Sequence, residues 1–397
     1  MKRADPIAPW SPDSGSPTLS AAAPLTVELK RNLDLHPDDA VALDSFVGER
    51  PQVGIFVSRA WLSGFFNEPP AGVELGLLML RSGGSLRGVA PIAIRRRLTH
   101  VRVELLGAAL GSDRTDLVSA PGFGAVCADA VLSWLGDTFR TGFVLGLMNA
   151  PDDSPFWGAI HRASANRARP LVLEPREVHP FPYLTICKGD YGPARGTAHG
   201  PHPASLDKHR RWLARRGRST IELLHDPAEA LLAFDSLVGF LHARWSGHDQ
   251  PSVLDSARTQ RFHRHVIPRL MAESRLRMVR VAADMRTVAV FYGLAIGKWW
   301  GYYLAGYDRE WAGRIHLGQI TLASAIDLAA REGAVEFDFL KGVERVKYLW
   351  PVRERVAIDA EVFSGAAGPQ WDRAGLAARQ TVAALAKSMR SLAPGGN

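Results

Sequence analysis

The sequence has little cysteine and no long hydrophobic run. Cys127 and Cys187 are the two cysteines among 397 residues, too few for a disulfide framework or a cysteine-rich zinc site, so a reducing intracellular setting is expected. No stretch approaches the roughly 20 apolar residues of a membrane-spanning helix, and the N-terminal segment lacks the apolar core of a secretory signal. The sequence therefore predicts a soluble, cytoplasmic protein with no membrane span.

Lysine is also scarce, with 8 residues against 40 arginines in a total net charge of +8. The positive charge is concentrated in one segment. Residues 207–218 (DKHRRWLARRGR) hold six basic residues and one acid, a net +5 of the total +8. Such a run is usually a solvated helix face, and binding to an anion is the alternative that this segment leaves open.

The length and the 46% hydrophobic content predict about two globular domains, each large enough for its own core. Residues 1–25 are rich in Pro, Ser and Ala and indicate a disordered lead-in. We expect a first domain over 26–190, a Gly- and Pro-rich linker over 191–204 and a second domain over 205–365. Residues 366–397 carry the spacing of an amphipathic helix followed by a tail.

A β-hairpin pattern occurs twice along the chain. One hairpin turns at Ser82–Ser85 and the other around Ala283–Asp284, and an Arg-x-Val-Ala sequence begins at Arg87 and again at Arg286. A helical pattern precedes each hairpin, and a further helix and a short buried strand follow it. Internal duplication of an α/β unit is the simplest explanation, with chance similarity of two hairpins as the alternative.

The segment 299–340 has the order strand, polar loop, helix, strand. The aromatic strand covers 299–304, the loop 306–318 ends in Gly318, and an amphipathic helix covers 319–332. Backbone N–H groups at such a helix start, with the positive end of the helix dipole, favour an anion over the loop. A phosphate site is one interpretation, and an ordinary β–α connection is the other.

The strand that follows carries the most informative motif, FDFLKGVERVKYLW at 337–350. Together with the Arg-rich helix and the duplication, it resembles the CelD/BcsL group of cellulose-biosynthesis-type acetyltransferases in the GNAT superfamily. Further similarities are the helix at 208–217, the segment 241–245, Tyr303-x-x-Gly306-Tyr307-Asp308, and Gly111-Ser112-Asp113 with Asp116. Val343 stands where that group usually has an acid, and Val346 stands where it usually has Tyr.

The resemblance implies an α/β (α+β) fold of two GNAT units in tandem, with mixed, largely antiparallel sheets, as in the Fem-type aminoacyltransferases. It implies transfer from acetyl-CoA or another acyl-CoA, without a metal, to an amine of a sugar, cell-envelope (exopolysaccharide) or small-metabolite acceptor. The donor would lie on the second unit. The alternatives are a Fem-like enzyme that uses aminoacyl-tRNA and, in another class, a non-catalytic nucleic-acid-binding module. For the leading interpretation no specific nucleic-acid partner is expected, and the oligomeric state is left open.

Residue roles follow from the same resemblance. The predicted catalytic residues are Glu344, Lys347, Asp338 and Tyr303. The predicted donor-binding residues are Arg314, His316, Leu317, Gly318 and Gln319, and the predicted acceptor-binding residues are Lys208, Arg211, Arg244, Asp113 and Asp116. Several of these roles have an ordinary alternative: a solvated acid for Glu344, a structural ion pair for Asp338, core packing for Tyr303 and a solvated face for the basic helix.

Overall fold

The structure is a computed structural model that describes residues 25–97, 100–107, 111–165, 171–186, 208, 211–215, 219–246, 252–311 and 315–364. The predicted linker, the C-terminal helix, Cys187, Arg314 and nearly all of the N-terminal lead-in lie outside these residues. No helix within the described ranges is long and apolar enough to cross a membrane.

The first half of the molecule, described up to residue 186, alternates helices and strands in the following order. It comprises β1 (Thr26–Lys30), α1 (Pro37–Glu49), α2 (Pro51–Val57), α3 (Arg59–Asn67), β2 (Glu74–Ser82), β3 (Ser85–Arg96), β4 (Val101–Leu105), β5 (Val118–Ser119), α4 (Gly124–Thr138), β6 (Phe143–Pro151), α5 (Pro155–Ser164) and β7 (Leu171–Thr185).

The second half, described from residue 208, repeats this order with fewer helices. It comprises β8 (Ser219–Leu223), α6 (Pro227–Trp245), α7 (Ala257–Ala272), β9 (Leu276–Ala283), β10 (Arg286–Ile296), β11 (Trp299–Tyr307), a 3₁₀ turn (Arg309–Trp311), α8 (Leu317–Arg331), β12 (Glu336–Asp338), a second 3₁₀ turn (Lys347–Leu349) and β13 (Arg353–Ser364).

The strands form one sheet in the order β1-β2-β3-β4-β6-β13-β7-β12-β11-β10-β9-β8, and the short β5 pairs with β3. Pairing is antiparallel except for β4 with β6 and β11 with β12, which are parallel. The two ends of this order correspond. From the edge inward, the first half contributes β1, β2, β3, β4 and β6, and the second half contributes β8, β9, β10, β11 and β12 in the equivalent places. The predicted mixed, largely antiparallel α/β fold with two equivalent units is thereby confirmed.

The halves exchange their last strands at the centre of the sheet. β13 of the second half pairs with β6 of the first, whereas β7 of the first half pairs with β12 of the second. β7 and β13 also pair with each other, from Leu171 with Ser364 to Tyr183 with Arg353. Local sequence patterns do not encode which neighbour a strand pairs with, so this exchange was not predicted. The domain limits at 190 and 205 stay a prediction.

Both predicted hairpins are present, and both turns have two residues. Gly83 and Gly84 have φ of 57° and 81°, and Asp284 and Met285 have φ of 50° and 64°, as a type I′ turn requires. Arg87 is the third residue after its turn, but Arg286 is the first after its own. The two Arg-x-Val-Ala sequences are therefore out of register by two residues. The evidence for two equivalent units is therefore the strand order and not this motif.

One apolar core joins the two halves. Trp61 of α3 packs edge-on against Phe262 of α7 and Tyr303 of β11, with ring centroids 5.2 and 5.4 Å apart. Gly64 allows the two helices to approach closely, because a Cβ there would lie 2.4 Å from the Phe262 ring. The shared core fixes the position of the first half relative to the C-terminal elements that form the candidate site.

Candidate active site

A wedge-shaped gap opens between β11 and the chain that follows β12. The two parallel strands pair only over Trp299–Gly301 and Glu336–Asp338. β11 continues to Tyr307, but β12 ends at Asp338, so 302–307 lie apart from the segment 340–346. We call this gap the second-half notch. Diverging parallel strands leave backbone and side chains free to contact a ligand between them.

A cavity of about 330 Å³ lies in this notch. Its lining residues come from α6, β11, the start of α8 and the segment after β12, namely Arg244, Tyr302, Ala305, Tyr307, Ile315, His316, Leu317, Gly318, Gln319, Leu322, Glu344, Arg345 and Val346. Six of the predicted site residues are among them: Arg244, His316, Leu317, Gly318, Gln319 and Glu344. The structure thus brings the predicted donor loop and the predicted base to one cavity.

A β-bulge in β11 decides which tyrosines face the cavity. Leu304 pairs with Tyr292 and Tyr302 pairs with Gly293, so Tyr303 is an extra residue in its strand. The extra residue reverses the alternation of side chains, and Tyr302 therefore shares the cavity face with Tyr307. The resemblance pointed to Tyr303 and not to Tyr302, and a bulge that changes the face of a strand leaves no signal in the period of the sequence.

The side chain of Tyr303 points into the core between the two halves. Its hydroxyl lies 3.5 Å from Nε2 of His263, whose Nδ1 lies 3.4 Å from the Tyr292 hydroxyl. Burial raises the pKa of Tyr303 well above its usual range and lowers the pKa of His263 to about 3. Of the two interpretations of Tyr303, the structure shows the core-packing one, and the hydroxyls at the cavity are those of Tyr302 and Tyr307.

The N-terminus of α8 borders the cavity. The helix begins at Leu317, its N-cap residue His316 makes no side-chain cap hydrogen bond, and no acidic residue lies in the first turn. The first N–H groups of a helix have no partner within it. Gly318 also allows the Tyr307 ring to approach, because a Cβ there would lie 3.2 Å from that ring. This end of the cavity suits an anion such as a phosphate.

Glu344 and Lys347 form an ion pair at the other end of the cavity. Lys347 Nζ lies 2.9 Å from the Glu344 carboxylate and donates a hydrogen bond to the Lys341 carbonyl at 2.7 Å. The Lys347 side chain is 4% exposed, whereas that of Glu344 is 54% exposed. Gly342, at φ 122°, makes this placement possible, because a Cβ there would lie 2.5 Å from the Glu344 carboxylate. The carboxylate is accessible and its partner amine is buried beneath it.

Asp338 is buried away from the cavity. Its Oδ2 lies 3.1 Å from Nη2 of Arg114 and 3.7 Å from Nη1 of Arg355, and its Oδ1 accepts a hydrogen bond from the Leu340 N–H. Burial raises the pKa of this carboxyl, and the Arg114 charge opposes that shift. Of the two alternatives for Asp338, the structure shows the ion pair. Its main partner is supplied by the first half.

The acidic residues of the first half lie in two different places. Asp116 is fully buried and pairs with Arg50 at 2.8 Å, within the first half. Burial raises the pKa of Asp113 to about 6, and the charge of Lys347 and the nearby backbone of Lys341 oppose that shift. Asp113 therefore reaches the second half beside the buried lysine. Neither residue lines the cavity among the described residues.

The remaining predicted acceptor residues lie on the surface. Lys208 and Arg211 are exposed and helical. Their helix is held in place by Trp212, whose ring lies 5.8 Å from that of Trp311, just before α8. The predicted basic cluster is thus next to the donor loop, although the cavity lining itself includes only Arg244 of the predicted acceptor residues.

The first half has an equivalent notch, but its own chain fills it. β4 pairs with β6 only over Val101–Glu104 and Phe143–Gly146. Beyond that point, Thr115 donates hydrogen bonds from its backbone N–H to the Asn149 carbonyl at 3.4 Å and from its hydroxyl to the Met148 carbonyl. Residues 114–117 are buried there. We call this the first-half notch.

Comparison with known proteins agrees with this description. Residues 202–348 match the family described as an acetyltransferase (GNAT) domain. A search of curated proteins finds no match. The second half of this chain thus contains a GNAT-type acetyltransferase domain, and the protein is an acyltransferase.

Solved structures resemble the chain over most of its length. FemX is 10% identical, with a TM-score of 0.54, over 82% of this chain and 96% of its own. A conserved protein of unknown function from Bacteroides thetaiotaomicron is 10% identical, with a TM-score of 0.50, over 85% of this chain and 99% of its own. Identities this low show a shared fold alone.

Proposed function

We propose that this acyltransferase uses an acyl-CoA donor, acetyl-CoA in the simplest case, and acylates an amine of a sugar, cell-envelope or small-metabolite acceptor. The observation that carries the proposal is the cavity in the second-half notch, with uncapped helix N–H groups at one end and the Glu344–Lys347 pair at the other. The similarity of 337–350 to the CelD/BcsL group favours an exopolysaccharide or other envelope acceptor.

The two ends of the cavity suit the two ends of such a donor. The N–H groups of Leu317 and Gly318 would bind the pyrophosphate, since anions are favoured at a helix N-terminus. Tyr302 and Tyr307 form the wall between that end and Glu344. The acyl group would then lie toward Glu344, where an acceptor amine can approach from solvent.

The chemistry assigned to the chain is a proton transfer and the stabilisation of charge. The acceptor nitrogen attacks the thioester carbonyl carbon; the new C–N bond forms and the C–S bond breaks. The exposed Glu344 carboxylate takes the proton from the nitrogen. The buried Lys347 ammonium holds Glu344 in place and adds positive charge near the developing oxyanion. The thiolate leaves with a proton supplied by a cavity hydroxyl, that of Tyr302 or Tyr307.

An aminoacyl-tRNA donor is the second candidate, and the exposed basic helix beside the donor loop is the observation that favours it. Parallel titrations of the full chain with labelled acetyl-CoA, a 3′-aminoacyl RNA minihelix and duplex DNA separate the candidates. We expect saturable binding of acetyl-CoA with neither nucleic acid competing. Binding of the minihelix in place of acetyl-CoA would favour the second candidate, and equal binding of both nucleic acids without acetyl-CoA would point to a nucleic-acid-binding module.

A further inference from the structure

The basic helix is fixed beside the entrance to the donor cavity. Trp212 packs edge-on against Trp311, with ring centroids 5.8 Å apart. Leu213 is 2% exposed and belongs to the same apolar cluster as Ile315 and Leu317. The Trp212 contact is made with the 3₁₀ turn that precedes α8, and the cluster of Leu213 includes residues at the start of α8. The backbone that carries the basic side chains is therefore anchored next to the N–H groups proposed to bind pyrophosphate.

Three basic side chains extend from this anchored segment into solvent. Lys208, Arg211 and Arg215 are all exposed, and their spacing of three and four residues is that of one helix face. Within the described part of the chain, none of the three takes part in a salt bridge. The carboxylate of Asp308, on the neighbouring loop, accepts a hydrogen bond from the Glu310 N–H and lies 3.9 Å from Arg286. The face is a positive patch whose charges have no acidic partner among these residues.

We propose that Lys208, Arg211 and Arg215 form a second anion subsite, which binds the 3′-phosphate of the CoA adenosine. This inference rests on the proposed function. CoA carries two separate phosphate groups, a pyrophosphate and a 3′-phosphate, and the molecule offers two adjacent anion sites: the helix N–H groups of α8 and the basic face. Arg211 and Arg215 lie one helical turn apart, about 6 Å at 1.5 Å per residue, which suits a phosphate that emerges from the cavity.

The test compares a ligand with and without the 3′-phosphate, and the wild type with a variant that lacks basic side chains. Isothermal titration of the full chain with CoA and with 3′-dephospho-CoA should show CoA binding about three- to tenfold tighter, the range expected for a few exposed ion pairs. In the double variant Arg211→Ala, Arg215→Ala, which leaves only Lys208 of the three, most of the preference for CoA should be lost while the affinity for dephospho-CoA stays at the wild-type value. The preference should also decrease with added salt.

Arg331→Ala is the matched control, because this exposed arginine lies at the opposite end of α8. It removes one positive charge away from the basic face and should keep the full preference for CoA. If the wild type binds CoA and dephospho-CoA equally, the subsite is wrong although the proposed function stands. If it binds neither, both proposals fail. If the RNA minihelix binds and the double variant abolishes that binding while the CoA preference is absent, the basic face binds RNA instead.

Discussion

The two notches of the molecule have the same strand geometry and different contents. In each half, two parallel strands pair over three or four residues and then separate. The chain between the diverging strand and the next helix is 18 residues long in the first half (106–123) and 9 in the second (308–316). The longer connection enters its own notch, whereas the shorter one leaves a cavity. The length of this connection is thus one difference between the filled notch and the open one.

The filling loop also serves the other half. Its Arg114 neutralises the buried Asp338, and its Asp113 lies near the buried Lys347. Arg114 is itself stacked over the Phe181 ring at 4.5 Å. The loop that closes the first-half notch thus supports the strand end from which Glu344 extends. We therefore expect the first half to be required for the activity of the second.

The largest effect should come from the carboxylate at the open notch. Glu344→Gln should lower turnover by roughly 10²–10⁴-fold, the range for a positioned base, with little change in acetyl-CoA affinity. Asp152→Asn is the control, because Asp152 is an exposed acid that follows β6 in the first half, as Glu344 follows β12 in the second. Steady-state rates with the acceptor provide the measurement. Equal rates in wild type and Glu344→Gln would remove Glu344 from the proposed mechanism.

The core between the halves should make stability depend on pH. Burial lowers the pKa of His263 from 6.5 to about 3, so the unfolded chain takes up a proton at a higher pH than the folded chain does. Its contribution is complete above pH 6.5 and is lost as the pH falls from about 6.5 toward 3. The loss should reach several kcal/mol, because one pKa unit corresponds to about 1.4 kcal/mol.

Urea unfolding at several pH values measures this dependence, and His263→Phe should flatten it over that interval. His265→Phe is the comparison, because His265 is only partly buried on the same helix. A pH profile in His263→Phe as steep as in wild type would assign the dependence to the carboxylates.

A smaller effect is expected where the first-half notch is filled. Thr115→Val keeps the shape of the side chain but removes the hydroxyl that donates to the Met148 carbonyl. Leaving that part-buried carbonyl without its donor should cost about 1 kcal/mol of unfolding free energy, the lower end of the range for an unsatisfied group. Ser236→Ala, which removes a similar hydrogen bond on the exposed face of α6, should cost much less. Acetyl-CoA affinity should not change in either variant, and a change in Thr115→Val would mean that the filled notch contributes to donor binding.

Much of the second half could be predicted because its signals are local. The helix after Gly318 was predicted at 319–332 and lies at Leu317–Arg331, and Glu344 was predicted at the strand end where the cavity occurs. The bulge at Tyr303, the exchange of β7 and β13 and the pairing of Asp338 with Arg114 were not predicted. Each depends on residues far apart in the chain, and a pattern of period two or 3.6 carries no information about such partners.

The central claim is that the second-half notch alone binds the donor. Proline at the second residue of α8, Gly318→Pro, removes an N–H that has no acceptor within the helix, so the helix should persist. Ala125→Pro makes the equivalent change at the second residue of α4 in the first half. Gly318→Ala keeps the N–H, so it distinguishes the effect of losing that N–H from the effect of added bulk beside Tyr307.

The direct measurement is the acetyl-CoA dissociation constant of these full-length variants by isothermal titration. We predict that Gly318→Pro weakens binding at least about tenfold, the value of one lost charge-assisted hydrogen bond, and that Ala125→Pro leaves it unchanged. Equal affinities in Gly318→Pro and wild type, or an equal loss in Ala125→Pro, would contradict the account.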